Sequence, residues 1–197
     1  MDMINITDKE VSLEGKVLIA SPHLEDPYFS RSIIYICAHD ETGTVGVIVN
    51  HRLGMLTCRD LLIFQDKKKD LLERKKFPLL FGGPVNTDML IALSLKDKNS
   101  IKELQEEEDI TIHMDIGKFF KDQVKKKIVT KKFLLVKGVT AWDSNQLEEE
   151  IADNCWFVLP ATPDIVFSPR GKDKWPDLMK KLGIRKFHEL VSYSGTS

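Results

Sequence analysis

No apolar run in this chain approaches the roughly 18 residues that a membrane-spanning helix needs, because charge, glycine or proline interrupts each one early. Cysteine is scarce as well. Cys37, Cys58 and Cys155 form an odd set without close pairing, which excludes a disulfide frame and points to reduced thiols. An excess of one charge is also lacking, with 29 Lys+Arg against 30 Asp+Glu and a formal net charge of -1. Overall charge therefore gives no long-range grip on a nucleic acid. The first residues carry Asp2, Asp8, Lys9 and Glu10 and show no basic start followed by an apolar stretch, so no secretory signal is expected and the cytoplasm is the expected compartment. His23, His39, His51, His113 and His188 are scattered, without HxxxH, HExxH or CxxC spacing. Neither a metal nor a cofactor is expected.

A length of 197 residues with 42% hydrophobic content suits one domain over residues 1–197, with residues 1–13 a loosely ordered leading segment. Apolar runs at Val17–Ala20, Ser32–Ala38 and Val45–Val49 read as strands, the last two joined by a turn at Glu41–Thr44. Between the first two lies Pro22, His23, Glu25, Asp26, Pro27, Ser30 and Arg31, too polar and proline-rich for an element interior. Thr57 is placed to cap a short helix over residues 57–62, before a charged stretch from Asp66 to Lys76. Leu79–Phe81 and Met89–Leu95 read as strands around Gly82-Gly83-Pro84, where a turn or close approach needs at least one glycine at positive φ. Lys96–Asp109 is a polar surface excursion.

Asp115 is placed to cap a helix from Ile116 to about Lys126 that docks by its phenylalanines. Phe133–Val139 and Trp156–Leu159 are strands, Ser144 caps a helix over Gln146–Asp153, and Asp173 and Pro176 open a helix that Gly183 ends. One or two further turns are expected over Phe187–Val191. The short connections between early strands predict an α+β fold with a mixed, mainly antiparallel sheet and helices packed outside.

The blocks LIASPHLEDPYFSRS at 18–32, YICAHD at 35–40, GTVGVIVN at 43–50, FGGPV at 81–85, WDSNQLEEEIADNCW at 142–156 and KWPDLMKKLGI at 174–184 resemble the AlgH/YqgE family. Its members are bacterial proteins mostly of unknown function, some labelled transcriptional regulators. The resemblance implies a split sheet curled toward a pseudo-barrel. Two positions depart from the pattern: Gly138-Val139-Thr140-Ala141 stands where Gly-Tyr-Ala-Gly is usual, and Leu93 stands where a histidine often precedes Ser94.

Three functional readings follow. No complete catalytic constellation appears, so the first is a non-enzymatic accessory or regulatory protein. It would bind a protein partner or small ligand through Asp26, Arg31, Ser32, His39, Asn50, Gly82, Gly83 and Pro84, the polar and glycine positions at sheet turns. Asp26 and Arg31 are expected to brace each other across the corner more readily than to hold a ligand. The second is a nucleic-acid binder using Lys118, Lys121, Lys125 and Lys126 within a basic face that ends at Lys132, although arginine for base readout is missing there. The third is an enzyme built on His39, Asp26 or Cys58, the last made reactive by a helix start. Cys37 sits in an apolar strand and reads as a buried, inert thiol.

Overall fold

The computed structural model describes residues 12–57, 76–95, 110–125, 132–169 and 171–184. Its strands are β1 (Lys16–Ala20), β2 (Ile33–Asp40), β3 (Gly43–Ile48), β4 (Arg52–Thr57), β5 (Lys76–Phe81), β6 (Val85–Leu95), β7 (Ile110–His113), β8 (Phe133–Asp143) and β9 (Trp156–Pro160). The helices are α1 (Ile116–Lys125), α2 (Gln146–Ala152), α3 (Pro163–Val166) and α4 (Lys174–Lys181). The strands join in the order β4-β5-β8-β3-β2-β1-β9, with β6 and β7 branching from β8.

Strand β8 explains why the sheet is split. Its first half pairs in parallel with β5, Leu79 opposite Leu135, and antiparallel with β6, Ser94 opposite Phe133. Its second half pairs with β3, from Thr140 opposite Gly46 to Asp143 opposite Gly43. At the changeover Gly138 takes φ 80°, a conformation that a side chain would strain. Among the described residues β5–β8 is the one parallel pair, and the sheet stays open, with β4 and β9 at its ends.

Because successive strand residues face opposite ways, the apolar β1–β3 runs fill two cores. Val17, Ile19, Ile33, Tyr35 and Val47 meet Ile165, Val166, Leu178 and Met179 of α3 and α4. Leu13, Leu18, Ile34, Ile36 and Ile48 meet Leu147 of α2 and the Trp142–Trp156 pair on the other side. Leu13 is thus part of the fold, at 1% exposure, although it falls in the segment expected to be loose. A third cluster holds Ile116, Phe119 and Phe120 of α1 against Phe77, Leu79, Ala92 and Leu135. Burying each phenylalanine contributes about 2–3 kcal/mol.

The expected helix at Thr57 is corrected at its start. Thr57 ends strand β4 and pairs with Lys76, because an adjacent strand satisfies its backbone where a cap would satisfy a helix. Residues 58–75, which include Cys58, lie outside the described residues, as do 96–109 and 187–191. Ser144 does not cap α2. Asn145 holds the N-cap position at φ 60° without a side-chain cap bond, and Gln146 Oε1 accepts the Asp143 N–H at 3.0 Å instead. Asp115 does cap α1, accepting the Lys118 N–H at 2.8 Å. Gly183, at φ 78°, closes α4 with bonds from Gly183 N–H to Lys180 O and Ile184 N–H to Met179 O, the paired bonds of a left-handed helix stop. Strand β7 and helix α3 are additions that periodicity did not signal.

Candidate functional site

The 21–32 corner is built by side chains bonding nearby backbone. Ser21 Oγ accepts the His23 N–H at 3.2 Å, and Asp26 Oδ1 accepts from Tyr28 at 2.7 Å and Phe29 at 3.0 Å, a turn that aspartate forms readily. Phe29 then stacks on Trp142 with ring centroids 6.3 Å apart and meets Trp156 edge-on at 6.1 Å. Those two indoles need acceptors once buried. Glu150 Oε2 takes both, at 3.0 Å from Trp142 Nε1 and 2.7 Å from Trp156 Nε1, while Gln146 Nε2 donates to Glu150 Oε1.

The corner leaves through Arg31, whose φ of 57° is left-handed and costs a side-chain-bearing residue roughly 1–2 kcal/mol. Asn50 holds it there. Its Nδ2 donates to Arg31 O at 2.9 Å and its Oδ1 accepts the Ile33 N–H at 2.8 Å, so a side chain with 2% exposure is spent on backbone. The Arg31 guanidinium lies 5.8 Å from the Trp175 ring centroid, and Trp175 Nε1 donates to Ala20 O at 2.7 Å. Among the described residues no ion pair joins Asp26 to Arg31, which corrects the expected brace: Asp26 spends its oxygen on two amides and Arg31 turns to an indole.

Gly82 and Gly83 are a crossing point of two strands. A Cβ on Gly82 would sit 2.1 Å from Gly138 O, and one on Gly83, at φ 150°, would sit 2.2 Å from Val139 O. Gly82 N–H donates to Lys137 O and Gly82 O accepts from Ile48, leaving no amide of this residue for an anion. Pro84 is half-buried beside it, and Ser32 is buried, its Oγ without a hydrogen-bond partner among the described residues. What the corner shows to solvent is His23, Glu25, Pro27, Tyr28, Ser30 and Arg31. Tyr28 is 51% exposed while stacking on Phe81 at 6.1 Å.

His39 lies seven residues along β2 from Ser32, about 23 Å at the usual strand rise of ~3.3 Å per residue. Its Nδ1 is 2.8 Å from Thr44 Oγ1 and its Nε2 3.4 Å from Glu148 Oε1. This acid–imidazole–hydroxyl order has the connectivity of an activated nucleophile, but Thr44 is 2% exposed, so its hydroxyl is shut inside the sheet. The same holds for Ser94 Oγ, 2.9 Å from His113 Nε2 and with Ser94 5% exposed. Burial holds the His113 pKa below its usual value, against the opposing charge of Asp122. The Cys37 thiol is pushed up to about 12 by burial and secondarily by Glu14, and burial also raises Cys155. Both thiols are unreactive by this measure. Lys118 and Lys121 are exposed on α1; the side chain of Lys125 and all of Lys126 lie outside the described residues. Among the described residues no group of three or more His, Cys, Asp or Glu converges as a metal site, and no helix is long and apolar enough to cross a membrane.

One further feature was not singled out from the sequence. Lys174 is 5% exposed, and its Nζ donates to Val49 O at 3.0 Å and Val166 O at 2.9 Å. Burial pulls its pKa down to about 8. It lines a cleft of about 530 Å³ between α3 and α4. Lysine at a helix start next to tryptophan carries no sequence signal of burial, since lysine is ordinarily exposed.

The family model described as AlgH-like matches residues 17–186. A protein designated UPF0301 from Dechloromonas aromatica (strain RCB) is 35% identical over 199 residues, covering 99% of this chain and 99% of that protein. Another from Legionella pneumophila (strain Lens) is 34% identical over 188 residues, 93% of this chain and 96% of that protein. Among solved structures, the AlgH protein from Pseudomonas aeruginosa superposes with a TM-score of 0.64 at 26% identity, covering 100% of this chain and 98% of that one. Protein DIP2367 from Corynebacterium diphtheriae gives 0.65 at 26% identity, with 87% of each chain covered. Matched along nearly its whole folded length in sequence and in fold, the chain belongs to the AlgH-like, UPF0301 family.

Proposed function

We propose that this protein is a non-enzymatic accessory protein of the cytoplasm that recognises a protein partner through the crest of its 21–32 corner, with Tyr28 and Arg31 as the contact residues. The observation that carries this reading is Arg31: an exposed arginine held at φ 57° by a buried asparagine. Backbone strain persists where the surroundings over-determine it, and it concentrates at sites of use. The guanidinium lies over the Trp175 ring, 5.8 Å from its centroid, and the exposed side chain has the fork of donors that meets a carboxylate in two-point fashion. Tyr28 adds a rigid ring backed by Phe81, the kind of side chain that anchors interfaces. The partner surface is therefore acidic beside an apolar spot. Against an enzyme stand the two hydroxyl–imidazole pairs, in both of which the hydroxyl is buried.

The test is in-cell photocrosslinking with the reactive side chain placed at Tyr28, and at Lys121 as a control. A discrete protein adduct from position 28 that is absent from position 121 is the expected result. No adduct at 28, or the same adducts from both positions, contradicts the proposal.

A further inference from the structure

The Lys174 cleft makes a second site, independent of the 21–32 corner. Its floor is a lysine side chain nineteen-twentieths buried, whose ammonium meets two backbone carbonyls. An ammonium has three N–H donors, so among the described residues one remains beyond those two bonds. Its lowered pKa has burial as its cause, which is the mark of a cation without a compensating anion. Lys132 and Lys181 line the same cleft, as do Asp164 and Asp177. With Lys174 these groups sum to one net positive charge. The rest of the wall sets the apolar Ile165, Phe167 and Leu178 among two prolines, Thr162 and Ser168, and the volume of about 530 Å³ falls in the usual small-molecule range.

We propose that this cleft binds a small monocarboxylic acid with an apolar body, its carboxylate taken by the free N–H of Lys174 and its body by Ile165, Phe167 and Leu178. A monoanion neutralises the charged groups described in the cleft, whereas a dianion or trianion would bring excess negative charge against Asp164 and Asp177. Carboxylate binding supplies the counter-charge that burial has withheld from Lys174, so ligand and proton bind cooperatively. Affinity should fall about tenfold between pH 7 and pH 9 as an amine of pKa about 8 loses its proton.

The experiment is calorimetric titration of the full chain with sodium hexanoate, alongside hexylammonium chloride and inorganic phosphate, at pH 7 and pH 9. Saturable hexanoate binding at pH 7, weaker by about tenfold at pH 9 and lost by at least tenfold in Lys174→Met, is expected. Neither hexylammonium nor phosphate should match it. Lys174→Met is itself at risk of misfolding, so nitrogen-15 lysine NMR of the unmutated protein reads the same contact: hexanoate should raise the pKa of the most acid-shifted lysine. No saturable binding, phosphate binding as tight as hexanoate, or a lysine titration unmoved by hexanoate would overturn the proposal.

Discussion

The 21–32 corner and the Lys174 cleft handle buried polarity in opposite ways. In the corner three inward groups have matched partners: Asp26 takes two amides, Asn50 bridges Arg31 O and the Ile33 N–H, and Glu150 takes two indoles, the buried Ser32 Oγ being the exception. At the cleft a full positive charge meets two neutral carbonyls. The first arrangement produces rigidity, because removing any one partner strands another. The second leaves a charge whose state an outside agent can alter. Sequence motifs of similar polarity thus do different work, one fixing a surface and the other holding a responsive group.

The sharpest way to break the rigid half is at the crossing beneath it. Gly83→Val places a branched side chain against Val139 O and C, both within 2.3 Å of a Cβ, and should cost more than about 3 kcal/mol in urea melts. Glu150→Ala should cost about 2–4 kcal/mol by stranding two indole donors. It should also change tryptophan emission, while Glu150→Gln, which keeps an acceptor, costs less. Asn50→Ala should cost about 2–3 kcal/mol, since both Arg31 O and the Ile33 N–H lose their partner. Milder effects from all three would mean that the corner is not rigid.

The responsive half is sharpened by pH. The folded pKa of Lys174, about 8, lies below the ordinary unfolded value near 10.4. Between those values the unfolded chain holds a proton that the folded chain has released, so this group's contribution to stability increases as pH rises from about 8 to 10. Below pH 8 its burial is a net cost of about 3 kcal/mol, with about 1.4 kcal/mol for each pKa unit. The stability of the unmutated protein relative to Lys174→Met should therefore improve across pH 8–10 in parallel urea melts. A flat difference would show that burial does not perturb this lysine.

Much of the fold was legible because it is written in local patterns. Alternating apolar strands, the Asp115 cap, the two phenylalanines of α1 and the glycine stop at 183 each follow from residues within a turn or two of one another. Strand β4 was not legible, because Thr57 carries a helix-start signal that only pairing with β5 overrides. The site divided along the same line. Gly82 and Gly83 were expected as a backbone constraint, and Gly83 at φ 150° bears that out. The clasp of Glu150 on two tryptophans and the tie from Lys174 to Val49, 125 residues away, depend on tertiary contacts that no spacing announces. Asn50 and Ser32 are named by the motif but buried by the fold, whereas Tyr28 and Arg31 are among its exposed members.

The central claim is that Arg31 is strained for recognition rather than for stability. Its most direct test is Arg31→Gly in a chain carrying the photocrosslinker at position 28, with melting midpoint and adduct yield measured on the same variant. Glycine accepts φ 57° without cost from a side chain, so the account predicts a midpoint no lower than that of the parent and an adduct reduced at least tenfold. A lowered midpoint with an undiminished adduct would contradict it.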